Sequence, residues 1–220
     1  MSIVDENALL RGWMHQFKFL ETVQIVESVG AYRPPTYQVR PDPSHLPLTR
    51  LVRREDIFAI VAAVERVLVG RLDYNAAEIQ CIVTIVSELC QNIYRHRDAD
   101  LPANGYATMQ VDDGGLKFMA INLGPGIPTH LRDHFPNTSD WQVIRRACDA
   151  GVTSKDSGGL GLYRVAQLVQ QAGGQMRIRS GDAGAVLDAE GKWARAARDG
   201  RNYLWGAQIG IEIPKIKHGR

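Results

Sequence analysis

The chain has 220 residues, of which 45% are hydrophobic and 23% are charged, and its formal net charge is +2. This length suits one principal domain with an accessory segment, and the composition excludes wholesale disorder. A charge so close to neutral disfavours a nucleic-acid or membrane surface, because such surfaces need basic residues clustered on one face. We therefore expect no nucleic-acid partner and no membrane partner.

Three cysteines, Cys81, Cys90 and Cys148, lack the spacing of a metal site, and their odd number excludes a fully paired disulfide framework. They are expected to be reduced and mostly buried. The sequence has no stretch approaching about 18 uninterrupted apolar residues and no cleavable apolar region at its start. The expectation that follows is a cytoplasmic location.

The N-terminal part is predicted to be an accessory helix followed by a connector. Within residues 5–29, large apolar side chains recur at spacings of three and four and so share one helical face: Leu10, Trp13, Phe17 and Leu20. Five prolines between residues 33 and 47 exclude a helix there. We place residues 1–48 in this extension and residues 49–220 in the main domain. The apolar face needs a covering surface, either on the main domain or on a second copy of the chain in a homodimer.

The main domain is predicted to open with two helices and a hairpin. Apolar residues recur with helical periodicity over residues 55–68 and again over residues 75–94. Two alternating stretches, residues 106–111 and 116–122, flank the turn sequence Asp-Asp-Gly-Gly and are predicted to be paired strands.

The remaining pattern predicts a short helix at residues 141–150, a helix at 160–172, and strands at 175–180 and 205–213. Residues 181–200 form either a long connection or an extension of a hairpin. This order favours an α/β fold of the α+β kind. We predict a two-layer sandwich in which the helices cover one face of a mixed sheet.

The stretch SELCQNIYRH in the second helix carries polar residues that share one face because they are three or four positions apart: Glu88, Asn92, Arg95 and His96. A carboxylate and an amide one turn apart can hold a divalent cation or orient a water molecule. An arginine beside them can meet a phosphate. An exposed polar stripe explains the same pattern, so this helix alone does not define a site.

Two glycine clusters follow this helix. In INLGPGIP, Gly124 and Gly126 let a ligand approach the main chain closely, although an ordinary turn has the same pattern. In SGGLGL, three glycines directly precede a helix, whose free N–H groups and dipole favour an anion. Neither cluster matches a P-loop or a dinucleotide-binding fingerprint. The second cluster therefore indicates a phosphate site of another nucleotide-binding fold.

Together the three stretches resemble the motifs of the GHKL ATPases, the Bergerat-fold group of gyrase, Hsp90 and histidine kinases. SELCQNIYRH looks like the N box, INLGPGIP like the first glycine box and SGGLGL like the second, in the family's order and spacing. The resemblance covers residues 50–214. Within the group, residues 54–96 and the lid sequence GVTSKDSGGLGL are most similar to bacterial anti-sigma-factor serine kinases and stressosome switch kinases.

This resemblance implies an ATP- and Mg²⁺-dependent kinase with a histidine-kinase-like ATPase domain. Asn92 would coordinate the Mg²⁺ that bridges the phosphates, and Glu88 would be the catalytic base that activates a serine hydroxyl of a partner. That partner would be a regulatory protein resembling an anti-sigma antagonist or a sigma factor. The resemblance assigns the following residues to nucleotide binding: Asn92, Arg95, His96, Asn122, Gly124, Gly126, Ile127, Lys155, Gly158, Gly159, Leu160, Gly161 and Leu162.

Two positions depart from the family pattern at the adenine end. The family's first glycine box begins with an aspartate that accepts a hydrogen bond from the adenine amino group, and here Asn122 stands in its place. Its amide oxygen can accept that bond only if the side chain is held in one orientation. The lost charge would weaken ATP by roughly 1 to 2 kcal/mol, or about one order of magnitude. Ala207 stands where relatives carry a threonine that helps to bind adenine.

These departures leave three functions open. The first is a serine kinase of the anti-sigma or switch type. The second is a GHKL-fold interaction module with impaired nucleotide binding, which regulates its partner by docking. The third is a detached histidine-kinase catalytic module; a complete histidine kinase is disfavoured because no histidine has the setting of a phosphoacceptor. His130 and His134, in the lid region, are expected to be solvated.

Overall fold

The computed structural model describes residues 44–70, 74–96, 105–154, 159–196 and 203–215. These ranges contain seven β-strands: β1 (His45–Leu51), β2 (Gly105–Asp112), β3 (Gly115–Asn122), β4 (Gln175–Gly181), β5 (Ala183–Leu187), β6 (Trp193–Arg195) and β7 (Leu204–Pro214). They also contain five α-helices: α1 (Arg54–Val69), α2 (Ala76–Arg95), α3 (Ile127–Leu131), α4 (Asp140–Arg146) and α5 (Gly161–Gln171). The predicted accessory helix at residues 5–29 lies outside the described ranges.

Helix α2 begins at a capping box. The side-chain oxygen of Asn75 accepts hydrogen bonds from the backbone N–H groups of Ala77 and Glu78, at 2.9 and 3.0 Å. The Glu78 carboxylate in turn accepts one from the backbone N–H of Asn75, at 2.7 Å. Six apolar residues then bury one side of the helix: Ile82, Ile85, Val86, Leu89, Cys90 and Ile93. This stripe fixes the rotation of α2 and leaves its polar flank at the edge of the core.

All seven strands belong to one sheet, in the order β1-β2-β3-β7-β4-β5-β6. Every described pairing is antiparallel. Strand β7 lies between β3 and β4 and runs opposite to both, so these two parallel strands do not pair with each other. The predicted mixed sheet is thus corrected to an antiparallel one. The last strand separates the two strands that would otherwise have paired in parallel.

One face of this sheet carries the apolar core. Alternate side chains of β2, β3, β4 and β7 pack against the buried stripes of α1, α2 and α5, and they include Met109, Phe118, Met176, Ile178 and Ile211. The predicted two-layer sandwich is therefore confirmed, as are the predicted long helices. Within the described parts of the chain, none of the helices is long and apolar enough to cross a bilayer.

Strand β1 crosses the predicted boundary at residue 48. It forms an edge of the described sheet, and its register against β2 shifts between Leu46 and Thr49, which accommodates Pro47. The hydroxyl of Thr108 on β2 donates a hydrogen bond to the carbonyl of Leu46 at 2.9 Å. Residues 45–48 therefore lie in the sheet rather than in a connector, because an edge strand tolerates a proline that a central strand does not.

Residues 181–200 contain an extension of the sheet, one of the two predicted alternatives. Strand β4 turns into β5, which pairs with β6, and the buried side chains of Ala185 and Leu187 join the core. Strands this short, built largely from small residues, have a weak periodicity. Their place in the sheet depends on pairing with β4, which a local pattern does not show.

The described cysteines are free thiols, as predicted. Cys90 and Cys148 are buried, whereas Cys81 is only partly covered. Burial raises the pKa of both buried thiols to about 12. Because the thiolate is the reactive form, these two cysteines are structural and unreactive at neutral pH.

Two glycines of β7 test how closely this strand packs against β3. Gly206 has φ +125°, and a side chain there would overlap the backbone oxygen of Asn122, whereas a Cβ at Gly210 meets no atom within 4 Å. We expect Gly206→Ala to lower the free energy of unfolding by at least about 2 kcal/mol, and Gly210→Ala to change it by less than about 0.5 kcal/mol. Urea unfolding of both variants measures the difference. Equal stabilities would contradict the described contact between β7 and β3.

Candidate functional site

A cleft lies between α2, the loop after β3, α3 and the first turn of α5, with the apolar side chains of Ala120, Ala207 and Ile209 among its lining. It holds about 950 Å³, including the space at its open mouth. Eight of the predicted binding residues line it: Asn92, Arg95, His96, Asn122, Ile127, Gly159, Gly161 and Leu162.

Helix α2 brings Glu88 and Asn92 to the first residue of α5. A Cβ on Gly161 would lie 3.0 Å from Oδ1 of Asn92, 3.2 Å from its Nδ2 and 3.3 Å from Oε2 of Glu88. Both side chains therefore rest against the backbone at the start of α5. A side chain on residue 161 would force both of these side chains to shift by a few tenths of an ångström, so the contact joins the predicted N box to the second glycine box.

The side chain of Asn92 has an unsatisfied donor. Its Nδ2 atom is buried and has no hydrogen-bond partner among the described residues. A buried donor without a partner costs about 1–3 kcal/mol, so the position suits an amide that a ligand completes. The oxygen of such an amide can bind a cation, and its NH₂ group can donate to a phosphate oxygen. The residues present thus fit Mg²⁺ and phosphate.

Glu88 lies next to the first residue of α5 but is not itself among the residues that line the cleft. Its side chain is only 16% exposed, and its Oε1 atom accepts a charge-assisted hydrogen bond from Nη1 of Arg164, at 3.1 Å. Arg95, on the same flank of α2, is exposed at the cleft and donates to the side-chain oxygen of Gln91 at 3.2 Å. The contact between Glu88 and Arg164 has no signature in the sequence, because 76 residues separate the two positions.

Asn122 presents an acceptor to the cleft. Its Nδ2 atom donates a long hydrogen bond of 3.5 Å to the backbone carbonyl of His96. Its Oδ1 atom is buried and lacks a hydrogen-bond partner in the described part of the chain. The carbonyl of His96 thus holds the amide in the orientation that leaves its oxygen available. This is the orientation in which asparagine can replace an aspartate as the acceptor for an amino group.

The loop with the first glycine cluster is held by hydrogen bonds of Ser180 on β4, a residue that the sequence analysis did not identify. The fully buried Ser180 hydroxyl donates to the carbonyl of Gly206 at 2.6 Å and accepts from the backbone N–H of Ile127 at 2.9 Å. A side chain on Gly126 would overlap this hydroxyl. Gly126 therefore permits close packing on β4, and Pro125, rather than either predicted glycine, lines the cleft. Gly124 adopts φ +118°, which shapes the loop.

Two glycines of the predicted lid sequence contact each other. The backbone N–H of Gly151 donates to the carbonyl of Gly159 at 2.9 Å, and both residues have positive φ. This bond joins the first residue of that sequence to Gly159, which lines the cleft. Lys155 and Gly158 lie outside the described residues. Leu160 is 60% exposed and does not line the cleft, whereas Leu162 lines it and packs on the small cluster around Leu131 and Val143.

The two lid histidines differ. His134 is exposed, as predicted, but the expectation for His130 was wrong: it is half-buried and lines the cleft. Its ring centroid lies 5.7 Å from that of His96. The short helix α3 causes this arrangement, since it buries Leu131 and carries the neighbouring His130 to the mouth of the cleft.

Comparison with known families agrees with this geometry. The family model described as "Histidine kinase-, DNA gyrase B-, and HSP90-like ATPase" matches residues 78–197, which is more than half of the chain. The matched segment contains Glu88, Asn92 and both glycine clusters, whereas β1, α1 and β7 lie outside it. No curated protein and no solved structure matches the chain significantly.

Replacing Gly161 tests the contact between α2 and α5. In Gly161→Ala the new Cβ displaces the side chains of Asn92 and Glu88. We expect the affinity for ATP with Mg²⁺ to fall about ten-fold or more, since the displaced amide can no longer complete the site. Unfolding stability should change by less than about 1 kcal/mol, because alanine suits a helix at least as well as glycine. Titration calorimetry measures the affinity, with Gly210→Ala as the control. Unaltered affinity in Gly161→Ala would place the phosphates elsewhere.

Proposed function

Because the chain belongs to the family of histidine kinase-, DNA gyrase B- and HSP90-like ATPases, we propose that it is a Mg²⁺-dependent protein-serine kinase of the anti-sigma or switch type, with ATP as its phosphoryl donor. The observation that carries this proposal is the meeting of Glu88 and Asn92 at Gly161. It places a carboxylate, an amide with an unsatisfied donor and the N-terminus of a helix at one point. Phosphoryl transfer relies on positioning the nucleophile and stabilising the phosphate charge, and these three groups can do both.

In this proposal ATP lies along the cleft, with its two ends at opposite asparagines. The buried Oδ1 atom of Asn122 accepts a hydrogen bond from the adenine amino group. Asn92 would hold Mg²⁺, and the free N–H groups at the start of α5 would meet the phosphates. When bound, Mg²⁺ supplies neutralisation of the phosphate charge.

The reaction moves the γ-phosphoryl group to a serine of the partner. The serine oxygen forms a bond to the γ-phosphorus, the bond from that phosphorus to the bridging oxygen breaks, and ADP leaves with the bond's electrons. Glu88 accepts the proton of the serine hydroxyl. Phosphoryl transfer depends mainly on alignment and charge stabilisation, so this chain contributes chiefly a fixed geometry.

The proposed partner is a regulatory protein that resembles an anti-sigma antagonist or a sigma factor. Support for this choice is the resemblance of α1, α2 and the lid sequence to serine kinases of that type. The chain would act on its partner by phosphorylating it or by sequestering it. A second copy of this chain in a homodimer is compatible with either action.

A second candidate is an interaction module that retains the fold without binding nucleotide. The observation in its favour is Ala207, whose methyl group lines the cleft where relatives carry a hydroxyl. The first candidate therefore assigns recognition of the base to Asn122 alone. The two candidates differ in a quantity that can be measured before any partner is known, namely nucleotide affinity.

Two substitutions on α2 separate binding from chemistry. Asn92→Ala should weaken binding of ATP with Mg²⁺ about 100-fold, because it removes the cation ligand. Glu88→Gln should leave affinity within about three-fold but slow phosphoryl transfer by roughly 10²–10⁴, because an amide cannot accept the proton. Calorimetry and transfer of labelled phosphate to a serine-containing partner or to water measure the two effects. The control is Glu212→Gln, an exposed glutamate on β7. Undiminished binding by Asn92→Ala would refute the site.

A comparison of nucleotides tests the adenine end. Inosine triphosphate carries a carbonyl where ATP carries the amino group. Its carbonyl oxygen and Oδ1 of Asn122 are both acceptors, so no hydrogen bond forms between them. We expect ATP to bind about ten-fold more tightly than inosine triphosphate, and Asn122→Ala to remove the difference. Calorimetric titration in the presence of Mg²⁺ measures both affinities. Equal affinities in the wild type would contradict the role of Asn122, and no binding of either nucleotide would favour the interaction module.

A further inference from the structure

One ion pair joins α2 to α5 at the edge of the cleft. Nη1 of Arg164 lies 3.1 Å from Oε1 of Glu88. The Glu88 side chain is 16% exposed and that of Arg164 is 62% exposed, so the pair extends from the site toward solvent. Neither the family motifs nor the proposed function assigns a role to Arg164.

The two oxygens of the Glu88 carboxylate have different neighbours. Oε1 faces Arg164, while Oε2 lies 3.3 Å from the position that a Cβ on Gly161 would take. Arg164 follows Gly161 by one turn of α5, and helical side chains lean toward the N-terminus of their helix. The guanidinium therefore reaches back over the first turn of α5 to the Glu88 carboxylate.

This contact contributes more to geometry than to stability. Ion pairs with one largely exposed partner add little to the free energy of unfolding, because solvent screens them. A general base, however, must lie within hydrogen-bonding reach of the proton that it accepts. A glutamate side chain has three rotatable bonds, and a guanidinium bound to one of its oxygens restricts all of them. The other oxygen is then held toward Gly161 and the proposed phosphate site.

We infer that Arg164 is a positioning residue, which orients the Glu88 carboxylate so that Oε2 receives the proton of the attacking hydroxyl. The inference rests on the proposed function, since it assigns Arg164 a part in that reaction. Arg164 itself accepts no proton and does not bind the nucleotide. Its loss should therefore reduce turnover and leave nucleotide affinity unchanged.

Kinetics of three variants test this role. Arg164→Ala should lower kcat about ten-fold through misorientation of the base, while KM and the calorimetric Kd for ATP stay within about two-fold. Arg164→Lys should recover part of the rate, because a lysine retains the charge but not the planar fork. Low millimolar guanidinium chloride should restore turnover of Arg164→Ala, and sodium chloride at the same concentration should not. Arg177→Ala, which removes an exposed arginine from β4, should behave as the wild type.

A spectroscopic measurement on the nucleotide-free protein tests the contact without any reaction. With the side-chain carboxyl carbons of glutamate labelled by ¹³C, the Glu88 resonance is identified by its loss in Glu88→Gln. We expect Arg164→Ala to shift or broaden this resonance, because the carboxylate then samples several rotamers. Arg177→Ala should leave it in place. An unmoved resonance in Arg164→Ala would overturn the inference.

The kinetic outcomes also separate this inference from the proposed function. A rise in kcat of Arg164→Ala would show that the arginine masks Glu88, and a parallel loss of nucleotide affinity would show a binding role; each result overturns positioning. Full transfer activity in Glu88→Gln would refute the base and, with it, the catalytic role of Arg164. If the wild type binds ATP without turnover, the proposed function fails. The resonance still decides whether Arg164 orients the carboxylate.

Discussion

The packing of α5 against α2 through Gly161 is the constraint on which the candidate site depends. A helix that starts on a glycine can bring its free N–H groups close to Glu88 and Asn92, whereas a side chain at that position would force the side chains of both residues to shift. The buried stripe of α2 fixes the rotation of that helix about its axis. The buried residues of α5 fix the distance between α5 and the sheet. The polar groups of the site are therefore held by apolar packing, because rotation or retreat of either helix would expose buried residues.

The polar atoms of the cleft indicate what it binds. Folded proteins pair nearly all of their buried polar groups, yet the cleft has a donor on Asn92 and an acceptor on Asn122 without partners in the described chain. The two atoms differ in chemical sense. The donor on Asn92, beside a helix N-terminus, suits phosphate. The acceptor on Asn122, whose Nδ2 atom is bound by the His96 carbonyl, suits an amino group. A nucleotide with a 6-amino base provides both complements.

Local patterns predicted the parts of this molecule that depend on local order. The periodicity of α1 and α2, the turn between β2 and β3, and the glycines before α5 all have a signature within a few residues. The missed features depend on contacts between distant segments. Ser180 fixes the glycine loop from β4, β1 joins the sheet despite Pro47, and β7 separates β3 from β4. His130 was misjudged for the same reason, since the burial of its neighbour Leu131 depends on tertiary packing.

The two ends of the cleft differ in how firmly they hold their groups. At the phosphate end, two helices, a glycine contact and the ion pair between Glu88 and Arg164 fix the polar atoms. At the end that the proposal assigns to the base, Asn122 offers a neutral acceptor beside its cross-strand partner Ala207, and a 3.5 Å hydrogen bond sets the orientation of its amide. Neutral hydrogen bonds are weaker than charge-assisted ones. In the proposed function, affinity therefore comes mainly from the phosphates and Mg²⁺, and the base supplies selectivity. A nucleoside without phosphates would keep only the weaker contacts to the base. A triphosphate with another base would keep the stronger contacts to the phosphates.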